Sequence, residues 1–382
     1  MDADRGFGLN RRRFLAGSAA VAGIGVRPSA VLAAETLGAL AAEKNLHFGA
    51  SFSTAELDTA YGERYAGIYR RDARVLTSEL EFKMGVLRPA ADGIDFKPAD
   101  RLVSFAEANG LSVRGHTLIW NDYLPDWIHA LDAKGAARLL NDHVRTVMTR
   151  YRGRVRSWDV VNEPIGPWDR LPGNLRKGPF LSALGEDYIR RSFEVARSCD
   201  PDAELVLNEA QTESADENGE TFRASFLSLL KRLKAQGAPI DGVGLQCHLD
   251  SGRPYQFARY AEWLEEIAAL GYRILITELD VNDRALPDRI ADRDMRVAKM
   301  YRDFLTAVLP VKAVTTLTLW QLADPTSWLY YGAREKAPDA RRRPRPLLFD
   351  EDFQPKPAWR AVAECLSEMP ARAALLPSEP KR

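Results

Sequence analysis

The chain has 382 residues, 46% hydrophobic and 28% charged, and its 53 lysines and arginines equal its 53 aspartates and glutamates. Such a composition is ordinary for a globular protein, enough for one large domain or two small ones. Zero net charge argues against nucleic acid as the main partner and against a strongly charged substrate.

At the amino terminus, Arg11-Arg12-Arg13-Phe14-Leu15 precedes a small, apolar run over 16–26, and Ala30-Val31-Leu32-Ala33-Ala34 then offers a small-residue cleavage site. Basic, apolar and small segments in that order read as an export signal of the twin-arginine type. This predicts a mature start near Ala34 or Glu35 and a periplasmic or secreted protein. The apolar run falls short of the roughly 20 residues needed to span a bilayer. No later stretch approaches that length, so no membrane partner is expected for the mature form. Cys199, Cys247 and Cys365 are odd in number and widely spaced, which is no disulfide framework. Buried thiols packing as small apolar groups are expected.

Beyond the signal, strand-like and helix-like segments alternate. Apolar, β-branched runs predict strands over 46–52, 74–82, 112–120, 155–163, 203–208, 242–248, 273–281 and 313–321. Amphipathic patterns predict helices over 100–109, 134–152, 187–198, 219–235, 257–270, 292–308 and 357–368. Gly110, Gly237 and Gly271 stand where three of these helices must stop. Eight strands with helical crossovers point to α/β architecture and a single (β/α)8 TIM barrel. An open doubly wound sheet is the alternative, but the Gly-rich turn it would carry after an early strand is absent. One domain is expected over 35–369, with a frayed tail over 370–382.

Polarity collects at one end of the strands. The second runs to Glu79, Glu81 and Lys83, the third to His116 and Trp120, the fourth to Asn162 and Glu163. The fifth ends in Asn208 and Glu209, the sixth in Gln246 and His248, the seventh in Glu278 and Asp280, the eighth in Trp320 and Gln321. In a closed barrel these ends share the face that carries the active site. Pro164 removes a backbone donor and pushes Glu163 towards extended geometry, so the fourth strand ends there. A carboxylate where a buried strand emerges can be desolvated enough to hold a proton near neutral pH. Two strand-end glutamates, Glu163 and Glu278, are the pair that glycoside hydrolysis uses. Trp120, Trp320 and Trp328 stand at or just past strand ends, as aromatic platforms or as core. Trp127 follows Pro125-Asp126, with the same two readings.

Three rival chemistries compete. His116 and His248 could join a glutamate around zinc, but no His-Glu-x-x-His or Cys-x-x-Cys spacing exists. A serine hydrolase lacks its Gly-x-Ser-x-Gly elbow. A non-catalytic sugar-binding barrel would keep the tryptophans but need not keep both glutamates. The basic run Arg341-Arg342-Arg343-Pro344-Arg345 reads as a solvated loop, or less directly as a contact for acidic substituents on a polysaccharide.

These residues bring a family into view. The chain from Leu46 to Ala358 resembles glycoside hydrolase family ten, the endo-β-1,4-xylanases. The resemblance rests on Gly115-His116-Thr117-Leu118-Ile119-Trp120, Leu124-Pro125-Asp126-Trp127, the stretch from Trp158 to Pro164, Leu245-Gln246-Cys247-His248, Ile276-Thr277-Glu278-Leu279-Asp280, Phe349-Asp350 and Gln354-Pro355-Lys356-Pro357. It implies a (β/α)8 barrel, a retaining mechanism without cofactor or metal, and a polysaccharide or oligosaccharide substrate. A monomer is the expected state. Glu163 would be the acid/base and Glu278 the nucleophile. Asn162 would hold the sugar 2-hydroxyl, Gln246 would bond Glu163, and His248 backed by Asp280 would orient Glu278. Lys83, His116, Trp120, Trp320 and Trp328 would line the sugar site next to the cleaved bond, with Glu79 and Asn208 supporting. Leu80, Met84, Tyr123 and Ala210 depart from the family pattern. Leu80 and Tyr123 replace amides that would bind the next sugar on the non-reducing side, and Ala210 replaces a stacking tyrosine on the other side.

Overall fold

The structure is a computed structural model that describes residues 36–336 and 342–372. The expected export signal, Arg341 and the tail beyond Arg372 lie outside the described residues.

The strands are β1 (His47–Phe52), β2 (Val75–Ser78), β3 (Ser112–Trp120), β4 (Ser157–Asn162), β5 (Glu204–Glu209), β6 (Gly242–Leu245), β7 (His248–Asp250), β8 (Arg273–Asn282) and β9 (Val314–Leu319). Parallel pairing runs from β1 through β6, on to β8 and β9, and back from β9 to β1. The sheet therefore closes into a (β/α)8 barrel, and β7 continues the sixth staff beside β8. The helices are α1 (Leu37–Glu43), α2 (Gly62–Asp72), α3 (Met84–Leu87), α4 (Lys97–Ala108), α5 (Ala133–Arg150), α6 (Pro179–Leu184), α7 (Asp187–Cys199), α8 (Glu217–Ala235), α9 (Phe257–Ala269), α10 (Ile290–Val308), α11 (Trp328–Lys336) and α12 (Pro357–Glu368).

Helix α5 shows how the outer ring is made. Asp132 caps it by accepting from the Gly135 N–H at 2.6 Å. Its apolar stripe then buries Leu140, Val144, Val147 and Met148 against the barrel. Each such side chain stabilises by about 1.5–3 kcal/mol, so Leu140→Ala would cost about 2–5 kcal/mol. At the amino ends of the strands, Gly110, Gly237 and Gly271 take φ values of 65°, 71° and 87°, as their place after helices predicts. The three cysteines are free and buried.

Four expectations change. β2 stops at Ser78, because residues 80–83 fold into a turn closed by the Lys83 N–H on the Leu80 carbonyl (2.9 Å). Glu81 turns away from the barrel mouth there and accepts from the Thr54 amide at 2.7 Å. The sixth strand breaks at Cys247, where φ is 60°. Two arginines of the basic run are not solvated: Arg345 is only 8% exposed and pairs with Asp294 and Glu351, while Arg342 bonds Asp288 and the Asp283 and Leu286 carbonyls. Those guanidiniums fasten the loop to the barrel and are spent on it. The carboxyl end stays anchored past Pro370, since Arg372 exchanges hydrogen bonds with Asn45, Lys44 and Leu309.

Candidate active site

Both glutamate-bearing strands shift register close to the glutamate. β4 carries an extra residue between Asp159 and Val161 relative to β5, and β8 shifts between Ile276 and Leu279 relative to β9. Such bulges re-aim the next side chain. Glu163 is not extended as its proline neighbour suggested. Its φ is 52°, and its N–H bonds the Asn208 carbonyl at 2.8 Å. The donors around its side chain outweigh the pre-proline preference and hold it over the barrel mouth.

Those donors are three. Glu163 Oε1 accepts from Gln246 Nε2 at 2.9 Å, and Oε2 accepts from Trp120 Nε1 at 3.0 Å and from Arg176 at 2.6 Å. Glu278 lies on the other side of a polar bridge. Its Oε1 accepts from Asn208 Nδ2 at 2.9 Å, and the same amide donates to Asn162 Oδ1 at 2.8 Å. Gln246 Nε2 reaches that oxygen at 3.4 Å. Thr277 fixes Asn208 by donating to its Oδ1 at 2.8 Å. The two carboxylates are thus joined through Gln246, Asn162 and Asn208.

The electrostatics around Glu278 favour its charged form. Burial alone would raise its pKa. The His248 hydrogen bond (3.2 Å) and the charges of His116, His248 and Lys83 outweigh burial and leave it below the usual carboxylate range. His248 shows the reciprocal effect. Burial would lower it, but Asp280 at 2.9 Å and Glu278 hold it well above the ordinary histidine value. A protonated His248 donates from both ring nitrogens, one to each carboxylate. Trp328 Nε1 donates to the second Asp280 oxygen at 2.6 Å. His116 is oriented by Asp159 at 2.9 Å, which also pairs with buried Arg114 at 2.6 Å.

Lys83 is buried among the rings of Trp120, Tyr123 and Trp320, at 4.8, 5.5 and 5.7 Å from their centroids. Burial lowers its pKa, and Glu278, Glu79 and Glu163 only partly restore it. Glu79 is pushed up to about 8, first by burial and then by Glu81, and accepts from Gln321 at 2.7 Å. Trp320 is buried edge-on to His116 at 5.3 Å. All thirteen expected site residues therefore gather at the carboxyl-terminal face or in the shell beneath it. Trp127 does not. It is half-buried and donates to the Arg88 carbonyl at 3.1 Å, a structural task. Met84 is 3% exposed and packs in the core.

Sequence reading missed one functional neighbour, Arg176, and placed another, Glu209, at a strand end without a role. Arg176, in the loop after β4, joins Glu163 to Asp122, which it meets at 2.5 Å. Glu209 is fully buried and braces the chain after the acid, accepting from the Ile165 amide at 3.0 Å and the Ala210 amide at 2.8 Å. Burial, and after it the Glu163 charge, raises Glu209 well above the carboxylate range. Arg176 carried no periodic signal because it acts from a loop, and the task of Glu209 was hidden because its partner Ile165 comes from the loop after β4. A cavity of about 610 Å³ opens beside this corner between Ile128, His129, Trp168, Arg176 and Lys177. Trp168 is 56% exposed there, with the Arg176 guanidinium 5.7 Å from its ring. Among the described residues, no group of three or more His, Cys, Asp or Glu is arranged to hold a metal ion.

Comparison with known proteins decides the family. The profile of glycosyl hydrolase family 10 matches residues 36–365. The chain belongs to glycosyl hydrolase family 10. Its relatives in that family include endo-1,4-beta-xylanase B of Thermotoga neapolitana, 31% identical over 336 residues that cover 86% of this chain and 91% of the relative. The beta-1,4-xylanase of Dictyoglomus thermophilum is 33% identical over 309 residues, covering 78% and 84%. Native xylanase 10B of Thermotoga maritima superposes with a TM-score of 0.78 at 31% identity, covering 87% of this chain and 98% of that one. Xylanase 10B of Thermotoga petrophila, solved in complex with xylobiose, gives 0.76 at 30%, covering 87% and 97%. As a family 10 member the chain is a glycoside hydrolase built on this barrel.

Proposed function

We propose that the chain is a retaining endo-1,4-β-xylanase acting on xylan or xylo-oligosaccharides, with Glu278 as nucleophile and Glu163 as acid/base. The observation that carries the assignment is a pair of strand-end carboxylates joined through Gln246, Asn162 and Asn208, with Glu278 held in its charged form. Glu278 is held charged by His248, His116 and Lys83, as a nucleophile requires. Glu163 is held over the barrel mouth by Gln246, Trp120 and Arg176.

In the first step Glu278 attacks the anomeric carbon, the glycosidic C–O bond breaks, and Glu163 gives its proton to the leaving oxygen. In the second, water attacks that carbon, Glu163 takes its proton, and Glu278 leaves as a carboxylate. Both roles need carboxyl groups about 5–5.5 Å apart. Asn162 offers its amide nitrogen to the sugar 2-hydroxyl while Asn208 and Gln246 hold its oxygen. Xylan is the favoured substrate because the relatives over most of the chain are xylanases. Departures at Leu80, Tyr123 and Ala210 support a second reading within the same mechanism, a decorated oligosaccharide or another β-glycan. The signal-like amino terminus supports action outside the cytoplasm.

The test is proton NMR of the first product from xylotetraose, beside a product profile on xylan, cellulose and aryl β-glycosides. A β-configured first product from xylan substrates supports the proposal. An α-configured product, or cleavage of another glycan with xylan untouched, defeats it.

A further inference from the structure

We propose that Tyr123 is a stacking platform for the second glycone sugar, so that this subsite reads the apolar face of a pyranose instead of its hydroxyls. The inference rests on the glycosidase reading above and adds the class of sugar that the subsite accepts.

The argument starts with the backbone. Tyr123 lies three residues beyond the end of β3 and takes φ 58°. A bulky residue holds a left-handed conformation only when its surroundings impose it, and such residues cluster at functional sites. Here the surroundings are visible. The Tyr123 carbonyl accepts from the Gly85 amide at 2.9 Å, at the start of α3. A Cβ on Gly85 would fall 2.5 Å from that carbonyl oxygen and 3.0 Å from the Tyr123 ring. Bare backbone at position 85 therefore lets the loop after β3 pack directly on α3 and fixes where the ring stands.

The ring so fixed is not buried. Tyr123 is 51% exposed, yet its centroid lies 5.5 Å from Lys83 Nζ, the same ammonium that meets Trp120 and Trp320. It is an open aromatic face beside a lysine already shared with the catalytic centre. Among the described residues its hydroxyl bonds no protein group, so the backbone contact with Gly85 and the packing of the ring account for its pose. Leu80 lies in the turn that Lys83 closes, so that turn carries an apolar side chain beside the lysine.

A β-1,4-linked xylosyl unit has all its hydroxyls equatorial, so both ring faces present C–H groups and the hydroxyls project sideways. A flat ring against such a face gains area without contacting hydroxyls. An amide would instead require a free hydroxyl, and an unmet hydrogen bond discriminates against a blocked one. The sugar class that fits Tyr123 is therefore a xylosyl residue whose hydroxyls are free or carry ester or ether groups.

The experiment compares xylotriose, xylotriose acetylated on its non-reducing sugar, and an aryl β-xyloside that fills only the sugar site next to the cleaved bond. Wild type is expected to show KM values for the two trisaccharides within about threefold of each other. Tyr123→Ala should raise both by about tenfold with a smaller change in kcat, and should move KM on the aryl xyloside by less than about twofold. Tyr123→Phe should restore tight trisaccharide binding. Tyr123→Gln should bind plain xylotriose but lose the acetylated form. An unaltered xylotriose KM in Tyr123→Ala, or an equal loss on the aryl xyloside, overturns the platform. Wild type that cleaves none of these substrates would instead overturn the xylanase reading.

Discussion

At the amino ends of the strands, the chain leaves its helices through left-handed glycines, Gly110, Gly237 and Gly271. At the carboxyl ends it makes similar left-handed turns on Tyr123, Glu163, Cys247 and Gln321. A left-handed non-glycine residue costs about 1–2 kcal/mol. Apart from Asn45 before β1, a residue type that tolerates the left-handed region, the amino end avoids that cost and the carboxyl end accepts it. The reason lies in what each position needs. A turn at Gly237 needs only direction, since no atom lies within 4 Å of where its Cβ would be. A turn at Glu163 must deliver a carboxylate, and one at Tyr123 a ring. Buried charge follows the same division. His47, at the amino end of β1, is pushed down to about 4 by burial and by Arg156, so it stays neutral and structural. Glu278 and His248 sit deep at the carboxyl end and both hold charge.

The largest expected effects come from removing the carboxylates themselves. Glu278→Ala should cut turnover on every substrate by about 10^4-fold or more, because no bond to the anomeric carbon can form. Glu163→Ala should cost about 10^2–10^4 on xylan. It should spare the first step on aryl glycosides with good leaving groups, which need no proton. Pre-steady-state release of the aryl group separates the two. Equal loss of that burst in both variants would show that the roles are misassigned.

Next comes the charge that keeps Glu278 ionised. Burial pushes its pKa up and His248 helps to bring it down. His248→Asn removes a hydrogen bond and a positive charge, so Glu278 should protonate at a higher pH. Activity requires the ionised form, so the acid limb of kcat/KM should move to higher pH in the variant. An acid limb that stays in place would place another group in control of it.

How much of this was legible beforehand divides along the same line. The strand ends carrying Asn162, Glu163, Gln246, His248, Glu278 and Asp280 could be read because a buried run that turns polar marks where a staff opens onto the active face. The glycines of the amino end could be read because a helix stop has local chemistry. Arg176 could not, since its partners Glu163 and Asp122 come from other elements and no spacing announces them. Arg345 was misread for a related reason: a basic run looks solvated until the acids facing it, Asp294 and Glu351, are placed. The left-handed Glu163 was misread because pre-proline preference is local, while the donors that override it come from β3, the break between β6 and β7 and the loop after β4.

A smaller effect concerns stability against pH. Glu79 releases its proton near 4.5 when unfolded but keeps it to about 8 in the fold, where burial comes first among the causes and Glu81 second. Between those values the folded state binds more protons, so stability falls as pH rises. The contribution is complete below 4.5 and gone above about 8. Glu79→Gln copies the neutral form and should flatten the decline in Tm across that window. A decline as steep as in wild type would mean that Glu79 is already ionised in the fold.

The smallest effect tests the comparison between the two ends directly. At Gly237 an added methyl group meets nothing, so Gly237→Ala changes only the backbone. Alanine gains about 0.5–1 kcal/mol from a less flexible unfolded chain but pays about 1–2 kcal/mol for its left-handed φ of 71°. The net loss should be about 0.5–1 kcal/mol. Gln211, left-handed at 59° after β5, offers the reverse exchange. Gln211→Gly relieves the strain, loosens the unfolded chain, and gives up one exposed bond from Asn218 at 2.9 Å. Those terms nearly cancel, and the change should stay within about 0.5 kcal/mol. Urea midpoints at constant slope measure both. If Gly237→Ala is neutral while Gln211→Gly destabilises by more than about 1 kcal/mol, backbone strain does not separate the two ends. The non-glycine turns would then be held by their side-chain contacts alone.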